Sequence, residues 1–153
     1  MLWEPPSIIL EGNGCGLISI SSNPPPGSLT TYNLVMGCAI ECKIRPEDHP
    51  ESIVVNIGNN DNGPPTPQEY QRACYAARMV HALYVRPNAR INVSCQAGLN
   101  RSALVVALAM RLHGFPARQT VKMIRDRRGS AALCNEWFEA LVLKADPISL
   151  HPK

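Results

Sequence analysis

Between two serines the chain reads Ser94-Cys95-Gln96-Ala97-Gly98-Leu99-Asn100-Arg101-Ser102, which sets a thiol, a guanidinium and a hydroxyl at fixed offsets. The apolar run Ile91-Asn-Val93 precedes it and an Ala- and Leu-rich run follows. A loop leading from a strand into a helix is therefore expected. In such a loop the backbone N–H groups of Gln96, Ala97, Gly98, Leu99, Asn100 and Arg101 can converge on one anion, and the following helix adds the positive end of its dipole. A cysteine held there beside a cation sits where the nucleophilic thiolate is favoured. Gly98 supplies backbone freedom where a Cβ would clash, Arg101 offers a planar fork matched to two phosphate oxygens, and Ser102 can hydrogen-bond the sulfur. The chemistry this combination suits is attack by Cys95 on a bound phosphoryl group, read in its strand-loop-helix context rather than from the spacing alone.

Such an attack needs an acid for the leaving oxygen. The stretch Gly58-Asn-Asn-Asp61-Asn-Gly63-Pro-Pro-Thr66 is polar, rich in turn residues, and follows an apolar run directly. Asp61 is the candidate acid, although an Asp before Asn-Gly is also a common turn residue. Asp48 lies ahead of the apolar run and is expected to point elsewhere.

The elements that must position these groups follow from hydrophobic spacing. Residues 7–10 and 16–20 are expected strands flanking a Gly12/Gly14 turn, and residues 22–27, with three consecutive prolines, a loop. Residues 34–44 read as more sheet bent near Gly37, residues 45–51 as a surface connection, and the Ile- and Val-rich residues 52–57 as a buried strand. Thr66-Pro67-Gln-Glu69 is a helix start, with Thr as N-cap, Pro at the first position and Glu at the third. Apolar residues then recur at helical spacing until Arg86-Pro87-Asn88. Residues 90–94 form a strand, and residues 101–112 a buried helix stopped by Gly114 and Pro116. Two more helices are expected, over 116–127 and 135–145. The fold class is thus α/β, a central mixed sheet flanked by helices, in a single domain spanning 1–153.

Composition limits the partners. At 153 residues, 45% apolar, 18% charged and 5% aromatic, the chain suits a globular domain with a real core. The scarcity of aromatics and a net charge of only +3 leave little for base stacking or a basic nucleic-acid stripe. Residues 1–11 lack a signal-peptide pattern, and no run reaches the ~20 apolar residues that span a bilayer. A cytoplasmic, reduced, non-membrane protein is expected, with its six cysteines unpaired. Cys38 and Cys42 read as core residues, with a shielding disulfide to Cys95 as the alternative. No Cys-x2-Cys and no His pair at helical spacing occurs, so neither a metal nor a cofactor is expected. His81 and His113 read as structural. Arg118, Lys122, Arg125, Arg127 and Arg128 read as a solvated helix face, with an enlarged positive field around a phosphate mouth as the alternative.

Cys-x5-Arg-Ser is the signature loop of the protein tyrosine phosphatase superfamily, and residues 95–102 resemble it at each defining position after its first. The chain most resembles the small dual-specificity-like members of bacterial or bacteriophage type. Asn59-Asn-Asp61-Asn-Gly63-Pro-Pro-Thr-Pro67 is similar to that family's general-acid loop, and Arg127-Arg128-Gly129 with Cys134-Asn-Glu-Trp-Phe138 to its tail. The likeness runs from residue 53 to residue 142, and the first fifty residues carry none. It implies hydrolysis of phosphate monoesters, phosphotyrosine and phosphoserine or phosphothreonine in proteins among them, through a phosphocysteine on Cys95, with Asp61 as acid, Arg101 and the loop amides holding the phosphoryl group, and Ser102 serving the sulfur. The family has His before the nucleophile, where its ring braces the loop; this chain has Ser94, whose hydroxyl can take over part of that bracing. Asn100 is favoured in the RNA triphosphatase branch, which keeps triphosphate-ended RNA as an alternative substrate. A phosphate-binding pseudophosphatase is the non-enzymatic alternative. The loop lacks the extra lysines of phosphoinositide-directed relatives.

Overall fold

The computed structural model describes residues 3–150. Its sheet has five strands in the order β1-β2-β5-β3-β4. These are β1 (Ser7–Glu11), β2 (Leu17–Ser21), β3 (Leu34–Ala39), β4 (Ile53–Asn59) and β5 (Arg90–Ser94). β1 pairs antiparallel with β2, and the other three pairings are parallel. β2 and β3 are buried along their whole length, as expected of parallel strands covered on both faces.

Among the described residues five α-helices follow or interrupt the strands: α1 (Pro67–Tyr84), α2 (Arg101–His113), α3 (Ala117–Arg128), α4 (Glu136–Lys144) and the single turn α5 (Pro147–Leu150). α2 is buried from Arg101 through Met110 without a break. A helix apolar all round belongs inside, and α2 contacts α1, α3, α4, α5 and the strands β2, β3 and β5. It starts directly after the loop that bears Cys95, so the best-packed element of the molecule fixes Arg101 and Ser102.

Two expectations about the sheet are corrected. The sheet foreseen over 34–44 is one strand that ends at Ala39, and beyond it the side-chain amide of Asn56 takes the backbone of Ile44. The Ile44 N–H donates to Asn56 Oδ1 at 2.8 Å, and Asn56 Nδ2 donates to the Ile44 carbonyl at 2.8 Å. A side chain thereby supplies what a ladder would have, and residues 40 and 41 turn out of the sheet. Gly37 makes room for this: a Cβ there would lie 2.6 Å from Asn56 Oδ1 and 3.0 Å from the Ile44 side chain. The Ile/Val-rich run, foreseen as a buried strand, is the edge strand β4, and Ile53 is 60% exposed. Composition signals a strand there but not its place in the sheet.

The start of α1 follows the expected chemistry. Thr66 Oγ1 accepts from the Glu69 N–H, and Glu69 Oε1 accepts from the Thr66 N–H, a reciprocal capping box. The second oxygen of Glu69 accepts from the Asn60 N–H at 2.7 Å. One carboxylate thus ties the helix to the loop that carries Asp61.

Candidate active site

Cys95 follows the last residue of β5 and is 4% exposed. Its Sγ lies 3.2 Å from Ser102 Oγ on the first turn of α2. Between them the loop is held from outside. Arg128, at the end of α3, donates from Nε to the Gly98 carbonyl at 2.9 Å and from Nη2 to the Ala97 carbonyl at 3.0 Å. The Leu99 carbonyl accepts from the Leu133 N–H at 2.8 Å. A trans peptide sets its C=O and N–H on opposite sides. Fixing the carbonyls of Ala97, Gly98 and Leu99 outward therefore turns the N–H groups of Gly98, Leu99 and Asn100 the other way. Gly98 has φ +70°, and a Cβ there would lie 2.6 Å from the Ser21 carbonyl oxygen and 2.5 Å from Arg128 Nη2.

The sequence reading missed the role of Arg128, placing it on a solvated face. Arg125 is also engaged: it donates to the carbonyls of Ala132 and Leu133 and pairs with Glu139, while Arg127, exposed as expected, donates to the Ile9 carbonyl. Arg118 and Lys122 are exposed as expected. The only sequence signal for Arg128 was the run Arg127-Arg128-Gly129 at a helix end. Beneath the loop, Ser19 Oγ donates to Asn92 Oδ1 at 2.8 Å and Asn92 Nδ2 donates to Ser21 Oγ at 2.9 Å. These polar groups are fully buried, and pairing them removes the penalty of burying them.

Arg101 is 6% exposed, and Glu41, on the turn after β3, grips its outer edge. Nη1 donates to Glu41 Oε1 and Nη2 to Oε2, each at 2.6 Å, and Nη1 donates also to the Asn59 carbonyl at 3.0 Å. The hydrogen bond from Arg101 holds the Glu41 carboxyl below the usual carboxylate range, and Glu41 in turn raises the guanidinium. The Nε–H of Arg101 is buried and unpartnered, as are those of Arg90 and Arg111, and of the three it is the one beside the Cys95 loop. α2 adds more donors, since Asn100 at its N-cap makes no side-chain cap bond and the first-turn N–H groups have no intrahelical partner.

Asp61 is brought to the loop by its own partners. Its Oδ2 accepts from Asn100 Nδ2 at 3.1 Å and its Oδ1 from Asn135 Nδ2 at 3.0 Å. Asn59, two residues earlier, is fixed by Nδ2 donating to the Glu69 carbonyl at 2.9 Å and by Arg72 Nε donating to its Oδ1 at 3.0 Å. The structure therefore brings together Cys95, Gly98, Leu99, Asn100, Arg101, Ser102 and Asp61, while Gln96 and Ala97 stand exposed on the loop's rim.

Ser94 is 1% exposed, and its hydroxyl donates to the Met36 carbonyl at 3.3 Å, linking the end of β5 to β3. The site has been filled by a small residue that braces across the sheet. Cys38 and Cys42 are free thiols. Burial, and after it the neighbouring Cys95, push the Cys38 thiol up, and burial followed by the charge of Glu41 pushes Cys42 up.

A scan against protein-family models finds no match, and a search of the curated proteins finds none. Solved structures do match. The fold is that of the dual-specificity and protein tyrosine phosphatases. Tk-PTP in its active form is 21% identical, with a TM-score of 0.67 over 94% of this chain and 96% of that one. Kinase associated phosphatase, with its catalytic-site cysteine replaced by serine, is 14% identical, with a TM-score of 0.71 over 93% and 97%. A mouse putative dual specificity phosphatase is 19% identical, with a TM-score of 0.67 over 92% and 87%. The likeness covers 92–94% of the chain, so it takes in most of residues 3–50, for which the sequence carries no resemblance. Among the described residues no helix is long and apolar enough to cross a membrane.

Proposed function

We propose that the protein is a cysteine-dependent phosphatase that hydrolyses phosphate monoesters, phosphorylated protein side chains foremost, through a phosphocysteine on Cys95. The observation that carries this reading is the buried, unpartnered Nε–H of Arg101, fixed by Glu41 on the opposite edge and facing no partner in the protein. It belongs to the same loop as Cys95 and the N–H groups of Gly98, Leu99 and Asn100, and such a set of donors suits an oxyanion.

In the first step the Cys95 thiolate attacks phosphorus in line, the bond to the leaving oxygen breaks, and Asp61 gives that oxygen its proton. Arg101 and the loop amides stabilise the equatorial oxygens as charge spreads over them. In the second step Asp61, now ionised, takes a proton from water as the water attacks phosphorus, and the sulfur departs with Ser102 donating to it. Inorganic phosphate leaves and the thiolate is restored. Asn100, the residue that keeps the triphosphatase alternative open, has a partner within the protein in Asp61.

The test is a panel of phosphotyrosine and phosphothreonine peptides, a phosphoinositide and triphosphate-ended RNA, offered to the wild type and to Cys95→Ser. Turnover of the peptides by the wild type and none by the variant is expected. Release of phosphate from the RNA alone would favour the triphosphatase reading, and tight binding of phosphopeptide without turnover a pseudophosphatase.

A further inference from the structure

We infer that Asn135, outside both the phosphate loop and the acid loop, is a positioning residue for the reaction. Its side-chain amide clamps Asp61 in the working position, with Asn100 as the second jaw. The inference rests on the reading of Asp61 as the general acid.

Asn135 is the N-cap of α4, and its two side-chain atoms do separate jobs. Oδ1 accepts from the Trp137 N–H at 3.1 Å and the Phe138 N–H at 3.3 Å, closing the start of the helix. Nδ2 points the other way, donating to Asp61 Oδ1 at 3.0 Å and to the Gly63 carbonyl at 3.3 Å. The backbone is tied in as well: the Asn135 N–H donates to Asn100 Oδ1 at 2.9 Å, while Asn100 Nδ2 donates to Asp61 Oδ2 at 3.1 Å. Each carboxylate oxygen of Asp61 thus has one amide donor, one from the phosphate loop and one from α4. Two segments distant from it in sequence close on a single acid.

Capping explains Oδ1 but not Nδ2. Serine, threonine and aspartate cap a helix as well as asparagine does, and none of them carries an N–H₂ to reach across to a carboxylate. Asparagine meets both demands at once. The anchoring is firm, because α4 is itself held by Phe138, fully buried, and by the pairing of Glu139 with Arg125. Fixing both oxygens limits rotation of the carboxyl and holds the acid loop against the phosphate loop, so proton donation needs little further ordering.

The cap and the clamp can be separated by substitution. Asn135→Ser keeps an N-cap acceptor and removes the amide donor. Asn135→Thr likewise keeps an N-cap acceptor and removes the donor; it supplies the same readout if the serine variant does not fold, and cooperative thermal unfolding checks both. With a phosphotyrosine peptide, kcat should fall roughly 10- to 100-fold, the scale of a small misplacement of a catalytic group. KM should stay within about twofold, since phosphate binding is untouched. The loss should shrink for an aryl phosphate whose phenol is a good leaving group. In an Asp61→Asn background, Asn135→Ser should add less than about a twofold loss, because the group it positions is gone.

A loss equal across leaving groups, or one that multiplies fully with Asp61→Asn, would reduce Asn135 to a helix cap and overturn the inference. The underlying reading fails separately: if Asp61→Asn alone costs the same with every leaving group, Asp61 is not the acid, and the clamp falls with it. If Asp61→Asn shows the leaving-group trend and Asn135→Ser does not, only the clamp falls.

Discussion

Glu41 and Arg101 meet edge to edge, both terminal nitrogens of the guanidinium donating to the two oxygens of the carboxylate at 2.6 Å. A planar fork held on one edge cannot rotate, so the Nε side is fixed in direction before any anion arrives. Glu41→Ala is expected to weaken competition by inorganic phosphate roughly 10- to 100-fold, the worth of a hydrogen bond to a charged group. Glu41→Gln keeps one acceptor oxygen and should lose less. Unchanged or tighter phosphate binding in the alanine variant would mean that Glu41 competes for Arg101 rather than orienting it.

The same pair has a pH signature. Because Arg101 holds the Glu41 carboxyl below its ordinary value, the unfolded chain binds a proton at higher pH than the folded one does. The contribution to stability is present above the unfolded carboxylate value of ~4.3 and is lost as pH falls through the lowered folded value. Melting temperatures measured downward from neutrality should show an acid-side loss that is smaller in Glu41→Gln than in the wild type. Equal slopes in the two proteins would remove this assignment.

Gly98→Ala should damage the site more than the fold. At φ +70° a Cβ is strained, and here it also meets a backbone oxygen at 2.6 Å that cannot step aside as a side chain would. A destabilisation of about 1–3 kcal/mol is expected, together with loss of phosphate binding, because the loop must move to accommodate the methyl. Denaturant unfolding and phosphate competition measure the two effects separately. Retention of phosphate binding would show that the loop's donors do not depend on this conformation.

What the sequence made legible was local. The thiol, glycine, guanidinium and hydroxyl of the loop share one short segment, and Thr66-Pro67-Gln-Glu69 writes its capping box within four residues. The supports were not legible, because each comes from far along the chain. Glu41 lies in a stretch that reads as sheet, beyond the residue, Ala39, at which the strand ends. Arg128 sits among five basic residues with nothing in its spacing to separate it from Arg118. The Ile- and Val-rich composition of β4 signals a buried strand as readily as an edge, and only the strand order distinguishes them. Ser94 reads as a hydroxyl able to brace the loop, but nothing in the sequence names its partner, the Met36 carbonyl across the sheet.

Asp61→Asn is expected to slow hydrolysis of a phosphotyrosine peptide by about 10²–10⁴, the range of a positioned acid. Asparagine fills the same space and still accepts one amide, so the loop should remain in place. The loss should be much smaller for an activated aryl phosphate, whose leaving oxygen departs without a proton. Rates over a series of substituted phenyl phosphates check this. A uniform loss along the series would mean that Asp61 only shapes its loop.

Whether phosphorus passes through the sulfur of Cys95, as proposed, is tested most directly by rapid acid quenching of the wild-type protein during incubation with a radiolabelled phosphopeptide. Covalent label on the peptide that contains Cys95, formed and discharged at rates compatible with turnover and missing from Cys95→Ser, is the predicted result. Steady hydrolysis with no label on that peptide, or turnover by Cys95→Ser near the wild-type rate, would contradict it.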